Sequence, residues 1–332
     1  MRILEIGAQS TVSKNSPWRQ WFVFCGLGLF VGAFLLVFVL ELVAKDGLNP
    51  HKFHSNRWAQ IGTEHWLGTD QNGRDVFALL VSGAYTSFLM SVVSTLAFFI
   101  FGTALGVLSG YFSGWLRNFV NTIFRVIHTF PILLLLLILT ILTDLFFYGR
   151  PSNTKFLILM ALFGVFSSPK LAEMIRGRIL SLKERAFIES ATALGLSHKK
   201  IIFRHILWLE CRSLIFVQCA YMMGQAILME TTLTYLNFGV EYPLTSWGLM
   251  LRQMQDGFRD TTIAFNQVGV LLIDWWTGAK HGDVIARDFD TWMEFIRYQP
   301  FFPIFAIAIA VLLFGEFARY LSDRYRIETN DS

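Results

Sequence analysis

The chain has 332 residues, of which 54% are hydrophobic and only 16% charged, and its formal net charge is +4. Soluble globular chains carry about 25% charged residues, so this depletion places the bulk of the chain in a membrane and excludes an ordinary solvated globule. The positive excess is small and dispersed, which excludes a nucleic-acid surface. Cys25, Cys211 and Cys219 all lie in or beside apolar stretches and form no Cys-x-x-Cys. That argues against a disulfide framework or a zinc site and leaves small buried hydrophobes.

A spanning helix needs roughly 20 apolar residues. By that measure the sequence predicts an all-α, polytopic membrane protein with six transmembrane helices. In chain order they are Trp21–Val43, Thr86–Leu108, Ile123–Leu145, Phe156–Ile175, Leu214–Leu236 and Phe301–Leu321. The first is too long for a secretory apolar region, and Leu42-Val43-Ala44-Lys45 is no cleavage site, so it reads as an uncleaved signal anchor. Residues 1–85 form this anchor and a first external loop. Residues 86–325 form the main transmembrane domain, and 326–332 a short tail. Ser167, Ser168, Pro169, Lys170 and Glu173 interrupt the second half of the fourth stretch, and Pro131 removes a backbone donor in the third, which predicts a kink there. The second carries Ser87, Ser91, Thr95, Gly102, Gly106 and Gly110 on one face. Lipid gives little hydrophobic drive for helix association, so such a face allows close backbone approach. It suits packing within the chain, with contact to a second subunit as the alternative.

Residues 183–207 form a polar break between two apolar stretches. Phe187, Ile188, Ala191 and Leu194 recur at helical spacing, with Glu184, Arg185 and Glu189 opposite. Gly195 stands where a helix ends in the left-handed conformation. Ser197 can cap a second helix that contains Ile201, Ile202 and Ile206. Of the 28 Lys and Arg residues, nine lie between Lys170 and Arg212. The positive-inside rule therefore puts this segment, and with it both termini, in the cytoplasm. Helices this short are marginal in water and need a groove or a surface. A partner's groove and the bilayer interface both satisfy the pattern.

Several runs in order carry a resemblance to a known family. Glu189-Ser190-Ala191, then Gly195, then Ile206-Leu207 resembles the E-A-A, G, I-L-P loop of ABC-importer permeases. Ser190 replaces an alanine and Trp208 the proline. His65-Trp66-Leu67-Gly68-Thr69-Asp70-Gln71-Asn72-Gly73-Arg74-Asp75 is similar to the H-P-L-G-T-D-x-x-G-R-D run of dipeptide, oligopeptide and nickel permeases, with Trp66 in place of proline. Gly110-Tyr111-Phe112-Ser113-Gly114-Trp115, Phe130-Pro131, Arg176-Gly177, Ile227-Leu228-Met229-Glu230 and Ser246-Trp247-Gly248 match further motifs. Arg125 stands where the family often has an acid. The single N-terminal span and long first loop are like the C-type member of the permease pair.

This resemblance implies a non-catalytic permease subunit of an ATP-driven, binding-protein-dependent importer for peptides or similar solutes, in a bacterial inner membrane. It implies as partners a homologous second permease, two cytoplasmic ATPases that hold the ATP and magnesium, and an external substrate-binding protein. By the same resemblance Phe187, Glu189, Ala191, Leu194 and Gly195 belong to the part that docks in a groove on the ATPase. Relative to the family the chain carries an external insertion of about 35 residues within 253–297. It reads either as a contact for the binding protein or second permease, or as a local surface subdomain.

The residues themselves add one acid. Glu230 lies inside a span, where carboxylates are costly and face the bundle interior or a water-filled path. With Gln225 and Gln218 on the same helix, it reads either as lining a translocation path or as bridging helices. There is no phosphate-cradling G-x-x-x-x-G-K-[ST] and no H-E-x-x-H, so neither ATP binding nor hydrolytic metal chemistry is expected of this chain, and no cofactor. His51, His54, His198 and His205 read as surface residues. The rival from another class is an ATP-independent carrier or channel, in which residues 183–207 would lie on the membrane surface.

Overall fold

The computed structural model describes residues 62, 65–70, 72–149, 151–184, 190, 192–241, 244–253 and 301–330. These are all-α apart from one isolated antiparallel bridge between Thr69 and Asp75. The helices are α1 (Val76–Tyr111), α2 (Trp115–Thr129), α3 (Ile132–Phe146), α4 (Ser152–Ser167), α5 (Pro169–Glu184), α6 (Arg212–Tyr235) and α7 (Phe301–Asn330). Residues 247–253 are also helical.

The long helix α1 is the axle of the molecule. It packs against α4, α5 and α6, and α7 packs against α6. It starts sharply because Asp75 caps it, with Oδ1 accepting from Phe77 N at 2.8 Å and Ala78 N at 3.1 Å. It ends where Phe112 turns extended ahead of Gly114, which has φ +88°. Thirty-six residues make a helix about 54 Å long, so α1 outruns a hydrocarbon core of about 30 Å.

The small-residue face of α1 is used inside the chain. A Cβ on Gly102 would sit 2.8 Å from Leu171 Cδ2, and one on Gly106 2.9 Å from Ile175 Cβ. One on Gly110 would sit 3.1 Å from Ile179 Cβ. α5 therefore lies along the bare backbone of α1, which is the close approach that helix association in lipid requires. Gly164 of α4 repeats the device from the other side: its Cβ would fall 2.1 Å from Ser94 O. Ser94 Oγ donates to Met160 O at 2.6 Å across the same contact.

The expectation of six spans is corrected. Among the described residues four helices are long and apolar enough to cross a membrane: Val76–Tyr111, Ser152–Lys183, Arg212–Tyr235 and Phe301–Tyr325. There are five if a bent pair, Trp115–Ile127 with Ile132–Phe146, counts as one. The expected stretch Ile123–Leu145 fails because Phe130-Pro131 breaks it instead of kinking it. α2 stops at Thr129, Pro131 takes the cap position of α3, and the two halves meet at 93°. Proline has no N–H for the helical ladder and forces its predecessor out of the helical region. Phe130 accordingly has φ −95° and ψ 133°. The stretch expected at Phe156–Ile175 is longer than its apolar core, because the helix continues through Ser168 (φ −61°, ψ −27°) into α5. The expected first span, Trp21–Val43, and most of the 253–297 insertion lie outside the described residues.

Candidate functional site

The polar segment follows α5 in the chain. Leu194 N bonds Ser190 O at 3.1 Å and Gly195 N bonds Thr192 O at 2.9 Å, which closes a helical turn. Gly195 then takes φ +80° with nothing within 4 Å of where a Cβ would stand. A side chain in this left-handed conformation costs about 1–2 kcal/mol, so glycine is needed here for its backbone and not for space. Leu194 is 82% exposed. Phe187, Glu189 and Ala191 lie outside the described residues.

Beyond the turn, Ser197 (φ −67°, ψ 144°) caps His198–Lys200, its Oγ accepting from Lys200 N at 3.4 Å. The chain then widens into a π-helix over Ile201–Glu210, closed by Cys211 N to Ile206 O at 2.9 Å. The sequence predicts an ordinary amphipathic α-helix there. In an α-helix Ile201 and Ile206 would point about 140° apart. With i→i+5 bonding, at about 4.4 residues per turn, both face the bundle, and both are fully buried. The same winding brings Glu210 to Arg178 of α5, Oε2 to a guanidinium nitrogen at 2.6 Å.

Tyr111, at the end of α1, meets the start of this segment, a contact that helical spacing does not reveal. Its hydroxyl and His198 Nδ1 are 2.5 Å apart, and its carbonyl accepts from Lys183 Nζ at 2.6 Å. The signal available in the sequence was position: Tyr111 belongs to a G-Y-F-S-G-W run at the end of an apolar stretch.

Glu230 sits in the interior of α6 with no exposed surface. Ser87 Oγ of α1 donates to its Oε2 at 2.8 Å and Thr234 Oγ1 to its Oε1 at 3.0 Å. Ser87 Oγ in turn accepts from Trp247 N at 3.3 Å. Through Ser87 the carboxylate thus joins α1, α6 and the start of the 247–253 helix. Gly248 is needed for closeness, since its Cβ would lie 2.9 Å from Thr231 Cα. Gln225, in contrast, is exposed and Gln218 half-buried. The helix places these two seven residues apart on one face and Glu230 on another.

The opposite end of α1 is tied by charge. Asp70 Oδ1 accepts from Asn72 N and Arg74 N, and its Oδ2 lies 2.6 Å from an Arg74 guanidinium nitrogen. Arg74 also donates to Gln253 Oε1 at 2.7 Å, and His65 Nδ1 lies 2.9 Å from Asp75 Oδ2. Gly68 and Gly73, both at φ +75°, turn the chain so that Val76 N reaches Gly68 O at 3.0 Å. The G-T-D-x-x-G-R-D run is therefore a folded cap on the first turn of α1. No group of three or more His, Cys, Asp or Glu that could hold a metal occurs among the described residues.

Long apolar helices and glycine-mediated packing define a multi-pass membrane protein. The chain belongs to the family of binding-protein-dependent transport system inner membrane components, whose model matches residues 102–326. It is a membrane permease subunit of a binding-protein-dependent ABC transporter. It is 32% identical over 269 residues to the dipeptide transport system permease protein DppC of Alkalihalophilus pseudofirmus, covering 78% of this chain and 84% of that one. It is 32% identical to the glutathione transport system permease protein GsiD of Pectobacterium atrosepticum, covering 73% and 79%. The oligopeptide transport system permease protein OppC of Mycobacterium bovis is 31% identical, with 67% and 74% covered.

Proposed function

We propose that this permease imports peptides or similar small solutes, driven by ATPases that dock on residues 184–207. The observation that carries the docking is the turn at Gly195. It presents an exposed Leu194 away from the bundle, while the chain on its far side returns to buried Ile201 and Ile206. An apolar side chain that the chain's own packing leaves exposed at such a turn suits a partner's groove. Glu189, Ala191 and Phe187 complete the apolar and polar faces of that docking element in this reading. The peptide cargo is supported by the names of the relatives, which handle dipeptides, glutathione and oligopeptides.

In the same reading a second, homologous permease faces Gln218 and Gln225 across a shared path, and Glu230 bridges helices behind it. Both termini and the 184–207 segment are cytoplasmic, and an external binding protein delivers the solute. The domain plan follows: residues 1–85 as anchor and loop, 86–325 as the permease domain, and the 253–297 insertion on the outer side. The test is purification of the tagged chain in mild detergent with identification of what accompanies it, beside Gly195→Pro. ATPases and a second permease with the wild type, and ATPases lost from the variant, are the expected result. Wild-type chain that purifies without any ATPase would overturn the reading in favour of an ATP-independent carrier. Uptake of a labelled dipeptide into cells, lost on deletion of the chain, tests the cargo.

A further inference from the structure

We propose that Tyr111 is the positioning residue through which the cytoplasmic segment moves α1. The inference rests on the reading of residues 184–207 as the ATPase-facing element and assigns the joint by which that element grips the transmembrane bundle. Tyr111 is the last residue of α1. Four contacts converge on it. Its hydroxyl pairs with His198 Nδ1 at 2.5 Å, and the two rings meet edge to face with centroids 5.8 Å apart. Its carbonyl accepts from Lys183 Nζ at 2.6 Å, and the same ammonium lies 5.6 Å from the centre of its ring. One side chain thus clasps the end of α5 and the first residue after the Ser197 cap.

The placement matters because of what lies on either side. Towards the cytoplasm, nothing stands within 4 Å of where a Cβ on Gly195 would be, so no neighbouring side chain packs on that face of the turn. Leu196 packs on the core, but apolar contact fixes no direction. A hydrogen bond does, because it weakens steeply away from linearity. Towards the membrane, α1 is locked along α5 at Gly102, Gly106 and Gly110. A helix so packed cannot bend locally and shifts as a unit, since close-packed interfaces are not continuously deformable. Ser87, the α1 partner of Glu230, stands on the same helix, about 36 Å up its axis by helical rise. Displacement of His198 would be delivered through Tyr111 to α1 and along it to the Ser87–Glu230–Trp247 junction.

The experiment uses the assembled transporter in proteoliposomes and measures ATP hydrolysis with and without its own binding protein, purified as loaded in the cell. Tyr111→Phe keeps the ring and the Lys183 contact and removes the hydroxyl. We expect it to retain bound ATPase and basal hydrolysis, while stimulation by the binding protein falls about fivefold, the equivalent of one hydrogen bond. His198→Ala should lose stimulation likewise. His198→Asn, which keeps an acceptor near the position of Nδ1, should retain most of it. Full stimulation in Tyr111→Phe would overturn the proposal. So would a parallel loss of bound ATPase and basal hydrolysis, because the hydroxyl would then serve folding alone. Failure of the docking reading looks different: the wild type itself would carry no ATPase.

Discussion

Two regions of this permease depend on glycine for opposite reasons. Along α1 and α4, Gly102, Gly106, Gly110 and Gly164 are needed for what they lack, since any Cβ would strike a neighbouring helix. At the turn after Leu194, Gly195 has open space where a Cβ would stand and is needed for φ +80°. The first set holds the bundle together. The second sets the direction in which a marginal element leaves it. The close-packed axle and this open turn are linked where the Tyr111 hydroxyl meets His198.

Substitutions can break this comparison or sharpen it. The largest effect belongs to Gly164→Ala, whose methyl would meet Ser94 O at 2.1 Å. Backbone must move, and the detergent-solubilised protein should lose about 3 kcal/mol of stability, read as a lowered midpoint in a denaturant or thermal melt. An unchanged melt would mean that α1 and α4 do not meet at this distance. Next comes Glu230→Ala, which leaves the hydroxyls of Ser87 and Thr234 buried without their acceptor. A loss of about 2 kcal/mol is expected, with Glu230→Gln recovering most of it because the amide oxygen still accepts. If Gln were as damaging as Ala, the charge and not the bonding would be what the site uses.

Gly195→Ala should leave the melt of the bundle unaltered, since nothing packs on that position. The left-handed turn should instead become less populated by about 1 kcal/mol, which trypsin cleavage at Lys199 and Lys200 would report as roughly fivefold faster. The smallest effect has the opposite sign. Gly177 lies inside α5, exposed, with nothing within 4 Å. Gly177→Ala should stabilise by up to about 0.8 kcal/mol through helix propensity alone. Destabilisation there would show that this face meets another chain in the assembled transporter.

Much of this was legible in the residues. The small-residue row on α1 announced close packing, and Gly195 with Ser197 two residues on announced a turn and a cap. Both follow from local chemistry that neighbours do not override. The count of spans was not legible. Hydropathy sees Ile123–Leu145 as one apolar run. Whether Pro131 kinks or breaks it depends on whether the two halves find better contacts apart, and here they meet at 93°. The winding of Ile201–Glu210 was hidden for a similar reason. Its pattern fits an α-helix, and burial of both Ile201 and Ile206 with Glu210 against Arg178 selects the wider turn.

The sequence by itself determined a membrane protein, its family, the polar segment between spans and the presence of a costly acid at Glu230. These rest on composition, spacing and ordered motifs, which are properties of the chain alone. Only the tertiary structure decided where that acid's hydrogen bonds go, that Tyr111 meets both Lys183 and His198, and that Arg74 reaches Gln253. Apart from the local Glu230–Thr234 bond, such pairs lie 72 to 179 residues apart in the chain. No local pattern encodes a partner at that distance. Its position is fixed by how the helices pack.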